Sequence, residues 1–105
     1  MRSRKLLEIR EEIIKILRDF KKKYHVKIYL FGSYAENRHT LHSDVDIVVV
    51  SDLFNGMDYP SRIEFIRLKL PYNLGFDIIA LTPDEFEEKL KRPFFKTISK
   101  TWIEI

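Results

Sequence analysis

Apolar residues recur at three- and four-residue steps near the start of the chain. Leu6, Ile9, Ile13, Leu17, Phe20 and Tyr24 mark one stripe, widened by Ile16, so residues 4–24 are expected to form a long amphipathic helix. Glu8, Glu11 and Glu12 lie early in it and Lys21, Lys22 and Lys23 late, an order that suits the helix dipole. The period then changes. Val26–Phe31 (VKIYLF) predicts a strand, broken by Gly32, and Ser33–Asn37 a short helix. Arg38–Ser43 is polar and predicts a loop. Val45–Val50 is so apolar and β-branched that it predicts a central strand buried on both faces.

Asn55-Gly56 places a loop over 51–59, and Pro60 opens a helix that ends near Pro71 with Ile63, Phe65, Ile66 and Leu70 on its apolar side. Phe76–Leu81 (FDIIAL) predicts a third strand. Thr82-Pro83-Asp84-Glu85 supplies an N-cap, a Pro at the first helical position and the Glu of a capping box, for a helix to about Lys91. A last short helix over 93–100 and an extended tail over 101–105 complete the pattern. Strands alternating with helices predict an α/β (α+β) layered fold, with functional groups at strand ends.

At 105 residues the chain is expected to form a single domain, 1–105. Hydrophobic residues make up 45%, enough for a real core. No stretch approaches the roughly 20 apolar residues of a membrane span, and the charged start does not resemble a signal peptide, so the cytoplasm is the expected compartment. The absence of cysteine excludes disulfides and thiolate metal sites.

The net charge of +3 is unevenly placed. Residues 1–27 hold ten Lys/Arg against four Asp/Glu, and the remainder nine against twelve. A basic first helix suits nucleic acid, a nucleotide tail or an acidic partner; a solvated helix face explains it as well. Its acidic residues and the lack of interleaved exposed aromatics make nucleic acid an unexpected direct ligand.

The chemistry concentrates in "FGSYAENRHTLHSDVDIVVV". Asp44 and Asp46 open the second strand, where alternate side chains share a face about 7 Å apart. Asp77 opens the third strand in the same way. If the two strands pair, three carboxylates converge. Two like charges 4 Å apart repel by about 4 kcal/mol at an effective dielectric of 20, so such a cluster calls for protons, cations or a basic partner. A hard divalent ion such as Mg²⁺ takes one or two carboxylates plus phosphates and waters. Gly32-Ser33, between strand and short helix, offers close backbone approach and a hydroxyl to an anion. A phosphate clamp facing a carboxylate cluster is equipment for phosphoryl or nucleotidyl transfer.

Gly-Ser, a ten-residue spacer from Tyr34 to Ser43, then Asp-Val-Asp resembles the signature of the nucleotidyltransferase superfamily related to DNA polymerase beta. With this short chain it is most similar to the minimal nucleotidyltransferases of prokaryotes. The resemblance implies a small mixed sheet with helices packed on it, a nucleotidyltransferase-like palm fold. It implies that Gly32 and Ser33 contact the triphosphate. Asp44, Asp46 and Asp77 would be the catalytic residues and ligands of two Mg²⁺ ions, with Asp77 helping to activate the attacking hydroxyl. ATP would be the donor of AMP, and the acceptor a tyrosine of a partner protein, a HEPN ribonuclease toxin to which this chain would be the antitoxin. A catalytically idle module that inhibits its partner by binding is the alternative. Where the family usually has Ala-Arg-Gly after Gly-Ser-x, this chain has Ala35-Glu36-Asn37. Asn can replace Gly in a left-handed turn.

Other residues have plainer expectations. His39 and His42 are expected on the loop surface rather than at a metal, and Ser43 is expected to shape the turn. Tyr34 either packs or touches nucleotide. Phe94, Phe95 and Trp102 are expected to pack, although exposed aromatics also suit a partner surface. Exposed sheet edges and the apolar tail make self-association an expectation too.

Overall fold

The computed structural model describes residues 2–105. Helix α1 spans Arg4–Tyr24. Ser3 caps it by accepting from the Leu6 N–H at 3.2 Å, and His25 ends it in the left-handed region at φ 55. Strand β1 follows at Lys27–Phe31, then the single-turn helix α2 at Gly32–Ala35. Strand β2 is Val45–Val50, helix α3 Tyr59–Arg67, strand β3 Phe76–Leu81. Helix α4 is Pro83–Lys89, helix α5 Pro93–Ile98, and strand β4 Ile103–Glu104. The Thr82–Glu85 capping box expected at the start of α4 is formed in both directions.

The sheet has the order β3-β2-β1-β4. β1 is antiparallel to both β2 and β4, while β2 and β3 run parallel. The predicted mixed α/β architecture is therefore the observed one. Ile13, Leu17 and Phe20 of α1 and Ile66 of α3 pack on one face of the sheet, against Ile28, Leu30, Val45, Ile47, Val49 and Ala80. On the other face Phe86, Phe95 and Trp102 cover Tyr29, Phe31, Val48, Val50 and Leu81. β2 is thus apolar on both sides because both sides are covered. Among the described residues no helix is long and apolar enough to cross a membrane.

The departures from expectation are local. β1 begins at Lys27 rather than Val26, and α2 occupies 32–35 rather than 33–37. The helix expected from Pro60 starts one residue earlier and leaves helical form after Arg67, its end followed by turns up to Pro71. α4 and α5 stop at 89 and 98, each about two residues short. The loop after β2 holds a 3₁₀ turn, Asp52–Phe54, that inserts a fully buried Phe54 into the core. The extended tail pairs through only two residues, Ile103 with Leu30 and Glu104 with Tyr29.

Candidate active site

The parallel pairing of β2 with β3 sets Val45 opposite Phe76 and Asp46 opposite Asp77. The antiparallel pairing of β2 with β1 sets Asp46 opposite Phe31. Directly opposed residues project to the same face. One row across the sheet therefore reads Asp77, Asp46, Phe31. The next row in from it is Ile79, Val48, Tyr29, which is apolar. The carboxylates stand at the end of the aromatic face, where the hydrophobic cover stops.

This position explains the electrostatics of Asp46. Burial against the apolar row pushes its carboxyl up from 3.8 to about 6, helped by the Asp77 charge, a proton shared with Asp77, and the Asp44 charge. Asp46 thus feels the charges of both other carboxylates. Asp44 and Asp77 are exposed, and Asp46 is half-buried between them.

Two glycines shape this cluster. Gly32 has φ 73, a left-handed conformation that favours glycine, and a Cβ there would fall on the Asp46 carboxylate. Gly75 precedes β3, and its carbonyl accepts from the Val45 N–H at 2.8 Å. A Cβ on Gly75 would fall on the Asp44 carboxylate. Each aspartate of the Asp-x-Asp pair thus lies against a bare glycine backbone. Gly32 was expected from sequence as a site residue, whereas Gly75 was not. Its only signal is a Gly two residues before a strand-opening Asp, which any turn would also show.

Ser33 lies in the first turn of α2, half-buried, and no side chain caps that turn. Tyr34 and Ala35 are buried, and α2 is held from below by Arg10, whose Nε donates to the Tyr34 carbonyl at 2.6 Å. Asn37 takes the left-handed turn at φ 58 expected of it. Glu36 pairs with Arg38 at 3.1 Å, and both side chains are open to solvent.

The loop residues fall into place with one correction. His39, expected on the surface, is fully buried. Its ring stacks on Tyr34 with centroids 4.2 Å apart, and its Nε2 meets the Leu6 carbonyl at 2.8 Å. The Arg2 guanidinium donates to the His39 carbonyl. His39 thus joins the loop to α1, a contact that no local signal reveals. Tyr34 packs. His42 is exposed, as expected. Ser43 shapes the turn, its Oγ accepting from the Thr40 N–H at 2.8 Å.

The donors fit a hard divalent cation. They are all carboxylate oxygens, and the half-buried Asp46 carboxyl lies beside the like charges of Asp77 and Asp44. Among the described residues no three His, Cys, Asp or Glu side chains are gathered closely enough to hold a metal by themselves. The set matches an ion that takes one or two protein carboxylates and fills its shell with phosphate oxygens and water.

Residues 10–102 match the family model described as a nucleotidyltransferase domain. The chain belongs to this family. It is 46% identical over 94 residues to a Methanocaldococcus jannaschii protein named "putative protein adenylyltransferase", with 87% of each chain covered. A second protein of that name and organism is 33% identical over 93 residues, again with 87% of each covered. In structure the nucleotidyltransferase resembles a crystal structure described as "a putative nucleotidyltransferase from Sulfolobus solfataricus". The TM-score is 0.64 at 19% identity, over 83% of this chain and 82% of that one, a likeness of fold. A second nucleotidyltransferase structure matches at TM-score 0.55 and 26% identity, over 90% of this chain and 97% of the other.

Proposed function

We propose that this nucleotidyltransferase transfers AMP from ATP to a hydroxyl of a partner protein, in a reaction that needs divalent cations. The observation that carries the reading is the placement of Asp44 and Asp46 against the bare backbones of Gly75 and Gly32, with Asp77 in register beside Asp46. The two M. jannaschii relatives, named as protein adenylyltransferases, support a protein as acceptor.

In this reading the acceptor oxygen attacks the α-phosphorus, and the bond from that phosphorus to the bridging oxygen breaks, releasing pyrophosphate. Mg²⁺ ions held by Asp44, Asp46 and Asp77 would supply Lewis-acid stabilisation of the attacking and leaving oxygens. Asp77, exposed and in register beside Asp46, takes the acceptor proton. Asp46, half-buried beside the other two carboxylates, would hold a cation as its carboxylate, the form it takes above about pH 6. Ser33 and the uncapped first turn of α2 face the triphosphate.

The sequence resemblance extends the proposal to an acceptor tyrosine on a HEPN ribonuclease toxin, with this chain as its antitoxin. A second reading is an idle module that blocks its partner by binding. Glu36 favours it, as an acid where the family usually carries Arg, but Arg38 neutralises that acid in the turn. One experiment separates the two: incubate the protein with labelled ATP, Mg²⁺ and the product of the neighbouring gene. Transfer of label to protein, abolished by Asp44→Ala with Asp46→Ala, is expected. No transfer by the unaltered protein, with inhibition intact in the double variant, would overturn the enzymatic reading.

A further inference from the structure

The row Asp77, Asp46, Phe31 has a continuation off the sheet. Phe31 is buried, and the ring of Phe94 meets it edge-on, with centroids 6.1 Å apart at 87°. Phe94 is also braced by Phe95, centroids 5.8 Å apart at 70°. Phe95 is itself buried and anchors α5 to the sheet. Yet Phe94 remains 53% exposed. Of the large exposed side chains, Tyr59 uses its hydroxyl on the Ala80 N–H at 3.2 Å, and Leu68 and Tyr72 lie on the turns between α3 and β3. Phe94 contacts Phe31, a residue of the carboxylate row.

A braced aromatic ring with an open side, resting on the residue paired opposite Asp46, is suited to a flat aromatic group delivered to that carboxylate. We infer that Phe94 is the wall on which the base of the bound nucleoside triphosphate stacks. This rests on the nucleotide-transfer reading above and deepens it. Stacking on a ring tolerates any base, since every base has a π-face. Phe94 thus supplies affinity for the nucleoside and leaves the triphosphate to Ser33, the first turn of α2 and the carboxylates.

The test is calorimetric titration, with Mg²⁺ present, of the full chain and of Phe94→Ala and Phe94→Trp. Two probes are used: ATP with a non-cleavable α,β-methylene bridge, and inorganic tripolyphosphate. Phe94→Ala is expected to weaken the ATP analogue roughly tenfold, leave tripolyphosphate unchanged, and be rescued by Phe94→Trp. Equal affinity of the Phe94→Ala variant for the analogue would overturn the inference, as would an equal loss for both probes, which marks a merely structural ring. So would an unchanged nucleotide affinity combined with a raised KM for the protein acceptor, which places the acceptor there. Failure of the unaltered protein to bind either probe would instead sink the nucleotide-transfer reading, and this inference with it.

Discussion

Asp46 stands directly opposite Asp77 in the pairing of β2 with β3, near enough to share a proton with it. The folded protein therefore holds a proton on Asp46 up to about pH 6, whereas the unfolded chain releases it near 3.8. Between those values the folded state binds more protons, so stability falls as pH rises, and above about 6 the full penalty is present. Asp46→Asn is expected to stabilise the metal-free protein at pH 7.5 by about 1–2 kcal/mol, less than the whole shift implies because the carboxyl is partly open to water. At pH 3.5 the two proteins should unfold alike. Urea melts at both values check this, and a constant difference between them would refute it. Mg²⁺ should raise the melting temperature of the unaltered protein but not that of Asp46→Asn.

The two glycines separate stability from cation binding. Ala at Gly32 meets both a positive φ and the Asp46 carboxylate, so Gly32→Ala should cost roughly 2–4 kcal/mol. Ala at Gly75 meets only the movable tip of Asp44. Gly75→Ala should therefore unfold within about 1 kcal/mol of the parent yet bind Mn²⁺ about tenfold more weakly, since Asp44 is turned aside. Denaturant melts and Mn²⁺ titration followed by electron paramagnetic resonance measure the two effects. A large stability loss with unchanged Mn²⁺ affinity would reverse this assignment.

Much of the site was legible because it is written in strand periodicity. Val45–Val50 and Phe76–Leu81 declare themselves by composition, and each carries an Asp at its second position, so their in-register parallel pairing brings Asp46 to Asp77. Asn37 was legible too, because its side chain tolerates the left-handed turn. What stayed hidden depends on residues far apart in the chain. His39 is buried by Leu6, 33 residues away, and β4 is too short to show a period. Gly75 becomes informative only when the Asp44 side chain is seen lying on it. Phe94 and Phe95 are adjacent and chemically identical, yet one is buried and the other half open, a difference decided by the docking of α5.

His39 should behave as a structural residue. It fills a closed space between Tyr34 and α1 and ties the site loop to the Leu6 carbonyl. His39→Ala should cost roughly 2–4 kcal/mol through lost packing and an unpaired carbonyl. In conditions where the variant is still folded, its Mn²⁺ affinity should match the parent. A tenfold loss of cation binding at intact stability would instead make His39 part of the cation site.

Arg62 and Glu85 join α3 to the start of α4 at the far end of β3. The Arg62 guanidinium is buried and donates to the Met57 and Ala80 carbonyls at 3.1 and 3.2 Å and to Glu85 Oε1 at 2.5 Å. The Arg62 bond to Glu85, with that from the Thr82 N–H and the Arg62 charge, holds the Glu85 carboxyl down from 4.5 to about 2. A depressed folded value means the stabilisation is complete above about pH 4.5 and is lost as pH falls towards 2. Because the Glu85 side chain is 44% exposed, the carboxylate's share is small and Glu85→Gln should cost about 1 kcal/mol at pH 7. Arg62→Leu should cost more, about 2–4 kcal/mol, since it strands two buried carbonyls as well as the acid. The pH slope of stability between 4.5 and 2 should be shallower in both variants than in the parent. Unchanged slopes would place the acid sensitivity in groups other than Glu85, and not in Asp46, whose contribution has the opposite sign.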